Sequence, residues 1–112
     1  MRGIKLHKYC FIGVFAIDDI PNDMKNNDCF IFNNQTHKQK GEHWLSGIKQ
    51  GNKIYFYDSF GRPASYFGLN KNYIQSNPNR EEEYNEVNCG ARSISWLITS
   101  DIFGVEAVHN LI

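Results

Sequence analysis

Three side chains that lie far apart in the chain, His43, Asp58 and Cys89, have the types that thiol catalysis needs. A cysteine thiolate is a strong nucleophile, a neighbouring histidine can take its proton, and a carboxylate behind the histidine fixes its tautomer. A helix start favours the thiolate further, because free N–H groups and a partial positive charge are found there. The order His, Asp, Cys therefore predicts a thiol hydrolase.

His43 and Asp58 stand at the two outer ends of a predicted β-hairpin. Two β-prone runs, HWLSGIK and KIYFYDSF, flank the residues QGN at 50–52, and a glycine beside polar residues is a hairpin signal. If the first two of these residues form the loop, His43 lies directly opposite Asp58, with Cβ atoms about 5 Å apart. If the last two form it, Asp58 lies opposite Leu45, one diagonal step from His43. A three-residue loop would need a bulge to keep both side chains on one face.

The third residue belongs to a predicted helix, CGARSISWLITSDIF, at 89–103. Its apolar positions follow the spacing of an amphipathic helix that packs on a core, and they are Ala91, Ile94, Leu97, Ile98 and Ile102. Asn88 is a good N-cap residue, which places Cys89 in the first helical turn.

Each of the three residues also has a purely structural explanation. A cysteine near a helix start is often only a small buried hydrophobic residue. Asp58 precedes Ser-Phe-Gly and could form an Asx turn, and His43 with Trp44 could end a strand. Their combination and order favour the catalytic interpretation.

The remaining segments predict strands and loops. YCFIGVFAI at 9–17 indicates a buried strand and CFIFNN at 29–34 a second one, separated by the polar loop 20–28. The glycine, proline and asparagine residues of 59–72 indicate a loop, with a short helical piece around Tyr73.

Together the predicted elements give one α+β domain spanning residues 1–112. A small, mostly antiparallel sheet carries His43 and Asp58 and packs on the helix that begins at Cys89. No repeat, low-complexity tract or linker divides the chain.

Composition and cysteine usage exclude several functional classes. Twelve basic and twelve acidic residues cancel, so neither nucleic acid nor an anionic membrane is expected as an obligatory partner, although a weak DNA contact is compatible with a local basic face. Three cysteines without CxxC spacing predict free thiols, hence a reducing intracellular compartment and no secretion. The scattered histidines and the absence of a P-loop predict neither a metal site nor a bound cofactor.

The motifs GEHWL, YFYDSFG and NCGARSISWL resemble those of adenovirus-type, or adenain-like, cysteine proteases of viruses and virus-like mobile elements, which share a fold with SUMO and ubiquitin-like-protein proteases. The resemblance covers most of residues 11–98. It implies that His43 is the general base, Asp58 the orienting acid and Cys89 the nucleophile, with Trp44 packed beside the site. It also implies an endopeptidase that cleaves viral precursor proteins during virion maturation, in the host nucleus or the virion.

One departure from the family concerns the oxyanion hole. The family has a glutamine six or seven residues before the cysteine, and this chain has Glu83 and Glu82 there. An ionised carboxylate has no N–H to donate to a developing oxyanion. Asn85 and Asn88 are alternative donors or substrate contacts, and Gln75 is a more distant one. Some proteases of this type need an activating peptide that is attached through a disulfide. Between residues 58 and 89 this chain has no cysteine that could form such a disulfide, so no activating peptide is expected as a cofactor.

Two further hypotheses remain open at this point. The same motifs and the NEVNCG stretch suggest a deconjugating isopeptidase for a ubiquitin-like modifier. A non-enzymatic alternative is a binding module derived from such a protease, in which Glu82 or Glu83 has weakened the oxyanion hole. All three hypotheses expect a protein or peptide as the partner of the site.

Overall fold

A six-stranded sheet forms the frame of the domain in the computed structural model, which describes residues 3–35, 43–77 and 88–111. The elements in chain order are β1 Ile4–Lys5, β2 Cys10–Ala16, β3 Asp28–Asn33, β4 Trp44–Gln50, β5 Lys53–Tyr57, β6 Tyr73–Gln75, α1 Cys89–Phe103 and α2 Val105–Leu111. The strands lie side by side in that same order. The α+β class is therefore confirmed.

The sheet is mixed, and three of its five strand pairs are antiparallel, in line with the predicted mostly antiparallel sheet. β1–β2, β3–β4 and β4–β5 are antiparallel pairs, whereas β2–β3 and β5–β6 are parallel. The parallel pairs arise because the chain returns along a loop after β2 and after β5, each time through a short 3-10 helix, Ile17–Asp19 and Ala64–Phe67. Such crossovers leave no local sequence signal comparable to that of a hairpin turn.

Both faces of the central strands are covered, because successive side chains of a strand point to opposite faces. In β3, Cys29 and Ile31 join the core on the α1 side, with Trp96 and Leu97. Phe30 and Phe32 join the core on the other face. β2 is only half-buried, contrary to the predicted buried strand, and its register shifts between Phe11 and Gly13.

The buried face of α1 differs from the predicted one. Leu97 is buried as expected, but Ala91, Ile94, Ile98 and Ile102 are exposed. The helix instead turns small polar residues toward the sheet. Ser93 Oγ donates a hydrogen bond to the Trp44 carbonyl over 3.0 Å, and Ser46 Oγ donates to the Ser93 carbonyl over 3.2 Å. Short side chains allow the helix backbone to approach β4 closely, which a row of isoleucines would prevent.

The element at Tyr73 was predicted wrongly, and the second helix, α2, was not predicted. Tyr73 begins the strand β6, not a helical piece, because it pairs with Ile54. α2 follows Gly104, whose φ is 90°, and its first N–H, on Val105, donates to Tyr9 Oη over 2.8 Å. Of the helices in the described ranges, none has the length and apolarity needed to cross a membrane.

Gly47 in β4 provides a test of the packing between β3 and β4. A Cβ atom at this position would lie 2.5 Å from Cζ of the fully buried Phe30 ring. We expect Gly47→Ala to lower the free energy of unfolding by about 1 to 3 kcal/mol, because the ring has no free space to enter. Urea denaturation followed by circular dichroism measures this.

Gly90 supplies the matched control for this substitution. Its added Cβ would meet only Trp44 Cδ1, at an ordinary 3.7 Å. Gly90→Ala is therefore expected to stabilise α1 by up to about 1 kcal/mol. If both substitutions changed the free energy of unfolding equally, the contact between residue 47 and Phe30 would not limit the packing of β3 against β4.

Candidate active site

The hairpin between β4 and β5 brings His43 and Asp58 together. Gln50 pairs with Lys53, so Gly51 and Asn52 form the loop, which is the second of the predicted registers. His43 Nε2 lies 2.5 Å from Asp58 Oδ1. Both side chains are buried, with relative exposures of 8% and 0%. The predicted pairing of these two residues is confirmed.

The contact fixes how the imidazole ring of His43 presents its two nitrogens. A carboxylate oxygen at hydrogen-bond distance from Nε2 requires that Nε2 carries the hydrogen. In the neutral ring, Nδ1 is then the nitrogen with a free lone pair. His43 can therefore accept a proton at Nδ1 while Nε2 remains bonded to Asp58.

Asp58 is also bound by the turn that follows it. Its Oδ2 accepts hydrogen bonds from the backbone N–H and from Nε of Arg62, both at 2.9 Å. Its Oδ1 accepts from the Phe60 N–H at 3.3 Å, which is the Asx-turn geometry considered above. Burial alone would raise the pKa of Asp58, but the hydrogen bonds from His43 and Arg62 lower it to about 2. The structural and catalytic interpretations of Asp58 are thus compatible.

Arg62 was not identified from the sequence. Its guanidinium carbon lies 4.9 Å from the Phe60 ring centre, 4.6 Å from that of Tyr66 and 5.1 Å from that of Phe67. These rings hold the planar group against the carboxylate by cation–π contact. The sequence does contain one signal for this role, which is an arginine four residues after Asp58 among aromatic residues.

Asn77 is a second residue that the sequence did not indicate. Its Oδ1 accepts the Asp58 N–H at 3.2 Å and its Nδ2 donates to the Asp58 carbonyl, so one buried carboxamide clamps the backbone on both sides. Gln75 Nε2 in turn donates to the Asn77 carbonyl over 2.8 Å. Gln75, considered above as a distant oxyanion donor, therefore supports this clamp.

Cys89 is the first residue of α1, as predicted, and its thiol is free and half-buried. The first turn of α1 packs on Trp44, the residue next to His43. The Cβ position of Gly90 is 3.7 Å from Trp44 Cδ1. Asn88 occupies the N-cap position without a side-chain capping bond to the helix. Glu82, Glu83 and Asn85 lie outside the described residues.

The other thiols have different surroundings. Cys29 is fully buried, and burial raises its pKa to about 12, which keeps it protonated and unreactive. Cys10 is half-buried in β2. Within the ranges that the structure describes, no group of three or more histidine, cysteine, aspartate or glutamate side chains could hold a metal ion. Of the three predicted site residues, a direct contact joins His43 to Asp58, and Cys89 lies at the start of the helix whose first turn contacts Trp44.

No protein-family model matches the chain, and no curated protein matches it. An assignment of function therefore depends on the chemistry of this site.

The lowered pKa of Asp58 predicts a specific acid sensitivity. Because the folded-state pKa is about 2 and the ordinary value is 3.8, this carboxylate stabilises the fold above about pH 4 and loses that effect as the pH falls toward 2. We expect a contribution of about 2 kcal/mol. Urea unfolding at several pH values between about 5 and 2 measures it.

The Asp58→Asn variant isolates the contribution of Asp58 to the loss of stability at low pH. The backbone N–H groups of Tyr9, Lys8 and His7 also lower the pKa of Asp101, against the effect of burial, so wild type and variant share that second acid-sensitive group. The variant should have a flatter stability curve over this pH range. Parallel curves for both proteins would contradict the assignment to Asp58.

Proposed function

We propose that the chain is a cysteine endopeptidase in which His43 is the general base, Asp58 orients it and Cys89 is the nucleophile. The observation that supports this most directly is the buried 2.5 Å contact between His43 and Asp58, at the end of β4 on which the start of α1 packs. A buried histidine–carboxylate pair beside a helix that begins with cysteine combines the three groups that thiol catalysis uses.

The proposed reaction follows from the roles of the two ring nitrogens. His43 takes the Cys89 proton at Nδ1, while Nε2–H stays bonded to Asp58. The thiolate attacks a peptide carbonyl carbon, and the tetrahedral intermediate expels the amine, which receives the proton from Nδ1. A thioester remains on Cys89. Water, deprotonated by His43, attacks this thioester and releases the carboxylic acid and the thiol.

The developing oxyanion needs hydrogen-bond donors near the sulfur. The first N–H groups of an α-helix have no intrahelical partner, and in α1 the first backbone bond inside the helix starts at Arg92, which donates to the Asn88 carbonyl. The backbone N–H of Cys89 is therefore our proposed oxyanion donor. This donor does not depend on the side chains of Glu82 and Glu83.

The substrate class comes from the resemblance of the motifs, not from the geometry. The likeness of GEHWL, YFYDSFG and NCGARSISWL to adenovirus-type proteases supports protein precursors as substrates and virion maturation as the setting. Neutral overall charge supports activity that does not depend on nucleic acid.

Covalent labelling tests the proposed catalytic residues. A peptidyl acyloxymethyl ketone should label the wild type at one site, Cys89, and Cys89→Ser should remove the label. His43→Ala should slow labelling by about a hundredfold to ten-thousandfold, the usual contribution of a general base. The label is located and its rate measured by mass spectrometry of the intact and digested protein.

His109→Ala is the matched histidine control. His109 lies in α2 against Tyr55, with ring centres 5.2 Å apart, and takes no part in the proposed mechanism. Cys89 of the His109→Ala variant should be labelled at the wild-type rate. Equal labelling of wild type and His43→Ala, with both folded, would refute the proposed base and favour a binding module.

Arg62 has a proposed positioning role, tested by the same rate. Arg62→Met removes the guanidinium that holds Asp58, and we expect labelling at Cys89 to slow by about tenfold to a hundredfold through misorientation of His43. Arg62→Lys keeps the charge without the planar fork and should give an intermediate rate. Labelling of Arg62→Met at the wild-type rate would restrict Arg62 to a structural role.

A further inference from the structure

The exposed face of α1 carries an apolar stripe. Ile94, Ile98 and Ile102 are four residues apart, so they lie on one side of the helix, and they have relative exposures of 52%, 53% and 54%. Between Cys89 and Phe103 the only charged residues are Arg92 and Asp101. Asp101 is buried and accepts hydrogen bonds from the N–H groups of residues 7–9. The stripe therefore contains no charged side chain.

A groove continues this stripe toward the edge of the sheet. Ile94 and Ile98 form one wall, and Ile4 of β1 with Val14 of β2 lie across from them. The groove has a volume of about 520 Å³, and all of its lining residues are apolar or glycine. Ile4 and Val14 are exposed by 67% and 57%. We refer to Ile4, Val14, Ile94, Ile98 and Ile102 together as the isoleucine face.

The isoleucine face is as large as the larger apolar patches that soluble monomers expose. Its five side chains are each more than half exposed and together present on the order of 500 Å² of apolar surface, at the upper end of the patches found on monomers. Two such faces in contact would bury on the order of 1,000 Å², which reaches the lower limit of specific protein interfaces. This face alone is therefore of the size that supports a weak, reversible dimer.

We propose that the isoleucine face binds the same face of a second copy of the chain. A row of side chains four residues apart is a ridge that can pack into the matching groove of an identical helix. With a two-fold axis near Ile98, Ile94 of each copy would meet Ile102 of the other. Such an isologous contact closes on itself and forms a dimer, not a fibre.

The absence of charge on this face disfavours a strongly charged partner and is compatible with a second copy. A face without charged side chains cannot attract an acidic or basic partner, and it is matched best by another uncharged apolar surface. The isoleucine face itself is such a surface. The chain also has zero formal net charge, so two copies meet no long-range repulsion.

Sedimentation velocity of the full chain tests the dimer. We expect a monomer–dimer equilibrium between about 1 and 200 μM, with a micromolar dissociation constant typical of a small interface. Ile98→Glu would place two carboxylates at the two-fold axis and should weaken association by about a hundredfold or more. Because Ile98 is half exposed, circular dichroism should show that the variant remains folded.

Thr99→Glu is the matched control, since Thr99 is exposed on α1 next to Ile98 in the chain but points about 100° away from Ile98, which lies at the proposed two-fold axis, and about 60° away from Ile102. It should dimerise like the wild type. A wild-type chain that stays monomeric at the highest concentration would overturn the proposal. So would equal dimerisation of wild type and Ile98→Glu, or a monomer whose isoleucine face is filled by an apolar peptide.

Discussion

The carboxylate of Asp58, buried without exposure to solvent, is the group on which the rest of the site depends. A buried charge is costly unless it is paired and hydrogen-bonded. Here the donors come from His43, which directly precedes the first strand of the hairpin, and from Phe60 and Arg62 in the turn after the second strand. Asn77, two residues past β6, holds the backbone of Asp58. One charge thus ties three separate segments into a fixed geometry.

The position of α1 depends on a different constraint. Serine hydroxyls of β4 and of α1 each donate a hydrogen bond to a backbone carbonyl of the other element. Ser93 donates to Trp44 and Ser46 donates to Ser93. Because serine is short, the helix lies close to β4 and its first turn contacts Trp44. The hairpin and the helix are therefore joined next to His43. The same close approach turns the isoleucines of α1 outward, so the packing that builds the candidate site also creates the isoleucine face.

The parts of this architecture that could be predicted are those with strong local patterns. The glycine turn and alternating strands gave the hairpin and, within one register step, the His43–Asp58 pair. The N-cap residue and apolar spacing gave the start of α1 at Cys89. The covered face of α1 could not be predicted, because apolar spacing does not show whether serines or isoleucines meet the sheet. Arg62 and Asn77 act through loop geometry, which has no sequence period.

In the proposed mechanism Arg62 also changes the charge balance of the reactive state. A thiolate at Cys89, an imidazolium at His43 and the carboxylate of Asp58 would together carry one negative charge in a partly buried site. Arg62, bonded to Asp58, cancels that charge. Proton transfer from Cys89 to His43 leaves this net charge unchanged, so Arg62 keeps the cluster neutral before and after the transfer, and a neutral cluster costs less to bury than a charged one. The arginine therefore acts through the carboxylate that it contacts, because it offsets the cost of burying Asp58 and holds it in place for His43.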